Sequence, residues 1–251
     1  MITLKSEQEI DLMREAGGIV ASTHQMLSKA VMPEITTAQL DVIAEKHIRA
    51  QGAEPAFKGY HGFPASICVS INEEVVHGIP SLRKLKEGDI ISIDVGACYK
   101  GYYGDAAVTL PVGKIKPENA KLLEVTRESL YQCMVYAREG NRLSDISHAI
   151  QTYVESHGFN VVRNYVGHGI GSEMHEEPQI PNFGKPGRGP KLEKGMVLAI
   201  EPMVNVGTWE VETLEDNWTV VTMDRSISAH FEHTVAVGKD HPEILTEMNS
   251  G

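Results

Sequence analysis

Two apolar, strand-like runs in this chain each end on an acid, and each begins at a matching glycine. Leu85-Lys86-Glu87-Gly88 leads into a run ending at Asp94, and Leu192-Glu193-Lys194-Gly195 into one ending at Glu201. In both, the carboxylate follows the glycine by six residues. A further strand-like stretch with an acid at its head follows each, Asp105 before Ala106–Gly113 and Glu232 before His233–Gly238. A glycine before a strand recurs by chance in many chains. Matched acids favour duplication instead: two related halves that face each other and present four carboxylates. Burying such a group unpaired costs several kcal/mol. A salt bridge to Lys or Arg is the ordinary remedy, but the nearby basic residues lie outside these runs. If the runs around Asp94 and Asp105 form a hairpin turning at Tyr99-Lys100, the two acids stand opposite one another. Like charges so placed destabilise a sheet, and a divalent cation between them reverses the sign.

Helix and strand signals alternate along the rest of the chain. Ser6 to Glu9 and Thr36 to Gln39 have capping-box spacing, so helices are expected from there to about Lys29 and to Gly52. Pro117 suits a first helical turn, with Gly140 closing that helix, and a fourth runs from about Ser144 to Gly158. Strands are expected at 66–71, 89–97, 105–112, 161–166, 196–204, 218–223 and 228–237, several of them nearly continuous in apolar residues. The pattern indicates a single α+β or α/β domain spanning residues 1–251.

Composition narrows the class. A net charge of −11 supplies no basic face for nucleic acid or an anionic membrane. No apolar run reaches the ~18–20 residues of a membrane span. The opening MITLKSEQEI has no apolar core of a signal peptide, and Cys68, Cys98 and Cys133 form no close-spaced pair. A reduced, cytoplasmic protein is expected.

Histidines extend the set of acids. His168 lies between Gly167 and Gly169, where the backbone can approach a neighbour closely, His175 follows seven residues later, and His77 sits in an apolar stretch before Gly78. Singly, each reads as readily as a structural residue. Together, Asp94, Asp105, His168, Glu201 and Glu232 make an oxygen-rich set with one imidazole, suited to two divalent ions and unlike a thiolate zinc site. Competing signatures fail: His175-Glu176-Glu177-Pro178 is no HExxH, and neither GxSxG nor GxxxxGK[ST] occurs.

The stretches 57–80 (FKGYHGFPASICVSINEEVVHGIP), 88–113, 165–178 (YVGHGIGSEMHEEP), 195–203 and 229–238 (AHFEHTVAVG) occur in an order that resembles the type I methionine aminopeptidases of bacterial kind. The resemblance spans nearly the whole chain. It implies an α+β pita-bread fold of two pseudo-twofold related αβ halves. It also implies removal of the initiator methionine from nascent polypeptides when the second residue is small, by a water or hydroxide bridging two divalent ions (Co, Mn, Fe or Zn). By position, Asp94 chelates one ion, His168 and Glu201 the other, and Asp105 and Glu232 bridge, with Glu201 also a proton shuttle. His77 meets the substrate amide, and His175 the scissile carbonyl or gem-diolate. Tyr60, Phe63, Cys68, His77, His175 and Trp218 bind substrate, and Met174 stands where the family often has Phe. An auxiliary Na or K site near Asn72 and Ser228, contact with the ribosome and a monomeric state complete the implied set. The nearest rivals of the same fold, aminopeptidase P and proline dipeptidase, usually carry a large domain before the catalytic one.

Overall fold

The computed structural model describes residues 2–247, so both ends of the expected 1–251 domain lie outside the described residues. Four helices form: α1 (Glu7–Ala30), α2 (Thr37–Ala50), α3 (Pro117–Met134) and α4 (Leu143–Ser156). The strands up to α3 are β1 (Glu54–Pro55), β2 (Cys68–Ile71), β3 (Glu74–Val76), β4 (Ile90–Tyr99) and β5 (Tyr102–Pro111). After α4 come β6 (Asn160–Val161), β7 (Gly167–Gly169), β8 (Glu176–Ile180), β9 (Val197–Ile200) and β10 (Met203–Asn205). The last are β11 (Val211–Thr213), β12 (Val220–Thr222), β13 (Ser228–His230), β14 (His233–Ala236) and β15 (Glu243–Ile244).

The capping boxes at Ser6 and Thr36 form as the spacing predicts. Helices α1 and α2 bury their apolar faces on the sheet containing β2, β4 and β5, with Leu27, Leu40, Ile48, Ile91 and Ile93 in one core. Helices α3 and α4 share a second core with β9 and β14, through Leu122, Ile146, Ile150, Leu198 and Val235. The two cores follow the echo in the sequence. Gly88 and Gly195 both take a left-handed φ, +92° and +96°, at the turns that launch β4 and β9. Backbone bonds join the halves, since Ala107 of β5 and Glu232 exchange N–H···O bonds of 3.3 and 2.9 Å. The Thr234 hydroxyl accepts from the Asp105 amide at 3.0 Å and donates to the Asp105 carbonyl at 2.7 Å.

Several expectations need correction. The β4–β5 hairpin turns at Lys100-Gly101, not at Tyr99-Lys100, and Tyr99 pairs with Tyr102. Both turn residues have positive φ (+49° and +84°), the requirement of a two-residue turn matched to strand twist, and glycine meets it at the second position. Asp94 therefore faces Ala107, and Asp105 faces Gly96. Helix α3 stops at Met134 instead of running to Gly140, and the chain beyond it bridges from Arg138 to Gly238. Of the expected 161–166 strand only Val161 pairs, in a two-residue strand begun by Asn160, and the 196–204 and 228–237 runs break at Glu201-Pro202 and Phe231-Glu232. Proline has no N–H for the ladder, and the breaks fall on Glu201 and Glu232, two of the expected ligands.

The seat of α1 depends on missing side chains. A Cβ at Gly17 would lie 2.1 Å from the Leu245 carbonyl oxygen, and one at Gly104 2.8 Å from the Gly17 nitrogen, whereas Gly18 faces open space. Gly17→Ala should lower stability by about 1–3 kcal/mol through overpacking. Gly18→Ala should leave it unchanged or raise it by up to about 1 kcal/mol. Urea denaturation of the two variants tests the contrast, and equal midpoints would mean that α1 backs away from its neighbours without cost.

Candidate metal centre

Strand alternation sends Asp94 and Asp105 to one face, because Asp105 lies two residues from Ala107, the partner of Asp94. From the other half, β7 presents His168 between two obligatory glycines. A Cβ on Gly167 would lie 2.4 Å from the Ala199 oxygen, and one on Gly169 2.2 Å from the Glu177 oxygen, since β7 is wedged between β8 and β9. Glu201 leaves the end of β9 with its carbonyl held by the Asn182 side chain at 3.0 Å. Glu232 occupies the break between β13 and β14.

These groups converge. Ligand atoms of Asp105, His168 and Glu232 lie within 4.8 Å of one another, and all three residues are buried. His168 Nε2 is 3.9 Å from Asp105 Oδ2 and 3.7 Å from Glu201 Oε1. Its Nδ1 is 2.9 Å from the Gly169 carbonyl. A proton donated there leaves the Nε2 lone pair facing the acids. Among the described residues, Asp94 Oδ1, Asp105 Oδ1 and Glu232 Oε1 are buried without a hydrogen-bond partner. Orphaned oxygens of this kind fit a cation.

Burial sets the protonation of the cluster. It lifts the Asp105 carboxyl to about 7. Asp94, Glu201 and Glu232 are pushed well above the usual carboxylate range, first by burial and then by the charge of Asp105. Burial also pushes His77 and His168 down to about 4, with the neighbouring His175 adding to it, and lowers His175 itself. The imidazoles are thus neutral near pH 7 and do not balance the acids. Without a cation the site holds its carboxyls by keeping protons on them.

The acids and His168 line a cavity of about 370 Å³ that also takes in His77, His175, Tyr60, Phe63 and Trp218. His77 follows β3 in a left-handed conformation (φ +61°), an uncommon state for a side-chain-bearing residue and one found at functional sites. The Tyr60 hydroxyl lies 2.8 Å from His175 Nδ1, and the His168 and His175 rings are 4.3 Å apart. Phe63 and Trp218 meet edge to face at 5.1 Å. Cys68 pairs with Asp94 across β2 and β4 and packs behind the aromatic wall instead of lining the cavity. Met174 is buried in that wall. Phe57, His61 and His230 line the cavity without having been singled out from sequence. His230 had one signal, its place two residues before Glu232. Asn72 and Ser228 are brought together, the Ser228 amide donating to the Asn72 carbonyl at 2.8 Å.

Residues 11–239 match metallopeptidase family M24. Over 248 residues the chain is 60% identical to methionine aminopeptidase 1 of Bacillus subtilis, covering 99% of this chain and all of that protein. The chain belongs to the methionine aminopeptidase family. A solved methionine aminopeptidase from Thermotoga maritima superposes with a TM-score of 0.97 at 50% identity, covering 99% of this chain and 100% of that one. A prolidase from Pyrococcus horikoshii shares the fold alone, with a TM-score of 0.80 at 22% identity over 98% of this chain and 64% of its own. As a methionine aminopeptidase family member the chain is a metallopeptidase with the pita-bread fold, its cleft acids lying where two αβ halves meet.

Stripped of divalent ions, the protein should have a distinctive pH profile. Between about pH 4 and 6.5 the raised carboxyls and depressed imidazoles oppose each other. Above about pH 6.5 unfolded histidines and carboxylates have both lost their protons, while folded Asp105, near 7, and its neighbours still hold theirs. The native state then binds more protons than the unfolded one, so stability falls as pH rises. The melting temperature of chelated protein should drop from pH 6.5 to 8, and Asp105→Asn should flatten the slope. A flat wild-type profile would contradict the buried, protonated cluster.

Proposed function

We propose that this chain removes the N-terminal methionine from nascent polypeptides, preferentially when the second residue is small. In this reading residues 1–251 act as one catalytic domain, monomeric, in the cytoplasm and at the ribosome. No described helix is long and apolar enough to cross a membrane. The observation that carries the proposal is the cavity itself, with buried acids bearing orphaned oxygens beside an aromatic and thioether wall. The first feature fits cations, and the second fits the methionine side chain, whose sulfur packs well against aromatic rings.

Asp94 would hold one divalent ion, His168 and Glu201 the other, with Asp105 and Glu232 shared, and Co, Mn, Fe or Zn would each suit these donors. When bound, the ions supply Lewis acidity that lowers the pKa of a water and polarises the scissile carbonyl. The protein's own groups do the rest. Tyr60 donating to His175 Nδ1 leaves the His175 proton on Nε2, available to the carbonyl oxygen. His77, held in a left-handed backbone at the cavity wall, would meet the scissile amide. Glu201, ionised when it holds an ion, would take a proton from the attacking water and pass it to the leaving amine. The substrate's second side chain must fit beside the ions, and this disfavours bulk there. Asn72 and Ser228 would hold the auxiliary Na or K ion.

With Mn or Co added to stripped protein, Met-Ala-Ser should be cleaved, and Met-Ile and Xaa-Pro peptides spared. Cleavage of Xaa-Pro peptides in their place would transfer the protein to the prolidase activity. Asp105→Asn and Glu232→Gln should lose both turnover and bound metal, measured by elemental analysis. His77→Ala and His175→Ala should keep the metal but lose turnover by roughly 10²-fold. Metal loss in the histidine variants would make them ligands, and unchanged metal content in the carboxylate variants would overturn the dinuclear assignment.

A further inference from the structure

The loop from Gly171 to Glu176 carries Met174 and His175 into the cavity, and it is held from outside the site. Lys5, in the segment before α1, places its Nζ 2.5 Å from Glu176 Oε2, with the Lys5 side chain 3% exposed. The other oxygen of Glu176 accepts the amide of Glu173 within the same loop at 3.3 Å. Lys5 is anchored in turn. Its Nζ donates to the Thr3 carbonyl at 3.1 Å, and its amide donates to the Gly195 carbonyl at 2.7 Å, at the turn that launches β9 and Glu201. The fit is close. A Cβ at Gly171 would lie 2.3 Å from Lys5 Cε and 2.5 Å from Glu176 Oε1.

Exposed ion pairs contribute little, but this one is enclosed, and removing one member of an enclosed pair strands the other. Lys5 does not line the cavity and touches no group assigned to the reaction. We propose that Lys5 is a positioning residue for His175. Through Glu176 it fixes the loop so that the imidazole, tied to Tyr60 on one side, keeps its place against the scissile carbonyl. The inference rests on the role given to His175 under Proposed function. It adds the segment before α1 to the machinery of the site.

The test is a double-mutant cycle with Met-Ala-Ser and saturating Mn, at a temperature where circular dichroism shows every variant folded. A displacement of about 1 Å can cost up to 10²-fold in rate, and Lys5→Met should lower kcat about tenfold with KM changed less than about twofold. Lys5→Arg, which keeps the charge, should restore most of the rate. In the His175→Ala background, Lys5→Met should cost less than about twofold more, because the group it positions is gone. Hydrogen exchange at 171–176 should quicken in Lys5→Met and not in Lys5→Arg. A full tenfold loss on top of His175→Ala would show a general structural effect and overturn the proposal, as would normal kcat in Lys5→Met beside an impaired His175→Ala. Unimpaired His175→Ala would instead defeat the role of His175 itself, and this inference with it.

Discussion

Four carboxyl groups share one enclosed cleft, and the imidazoles beside them are neutral. Once ionised, two such groups 4 Å apart at an effective dielectric near 20 repel by about 4 kcal/mol, a repulsion that protons relieve when no cation is bound. A scaffold that keeps such groups together must resist being pushed apart. The antiparallel pairs β4–β5 and β9–β14 supply that stiffness, each backed by helices over an apolar core. The seam is stitched at the acids themselves, through Ala107 with Glu232 and Asp105 with Thr234. The crowding of the acids and these cross-links between the halves therefore coincide.

Around this rigid floor the remaining groups come from loops and strand ends. His77 follows β3 in a left-handed conformation, and the next residue, Gly78, passes close to β2, where a Cβ would lie 2.0 Å from the Val69 carbonyl oxygen. His175 rides a loop between β7 and β8. Asp94, Asp105 and His168 sit on strands, Glu201 and Glu232 at strand breaks, and His77 and His175 on loops. The groups nearest the cluster therefore stand on the stiffest backbone and the two outer imidazoles on the most adaptable.

The acids were legible because they contradict their surroundings. A carboxylate closing IISID or VLAIE breaks an apolar pattern, and the matched glycines tied the two instances together. The helix starts were legible from local capping chemistry. The hairpin register was not, because periodicity is indifferent to a shift of two residues and only the turn decides it. Gly101, at home with positive φ, is the residue that does so. His230 stayed hidden because an imidazole inside a strand reads as an ordinary core residue. Phe57 lies in an irregular segment where no period marks a facing direction. The breaks at Pro202 and Phe231 were obscured by the apolar character of their flanks, although proline carries the warning.

Asp94 and Asp105 belong to the first half of the chain, and His168, Glu201 and Glu232 to the second. During synthesis the first half emerges with two acids and no complement. A partly folded chain, or a fragment left by proteolysis, would hold an incomplete constellation. On the function proposed above, the full set of ligands exists only once the two halves have closed on each other, and completion of the fold would itself be the activation step.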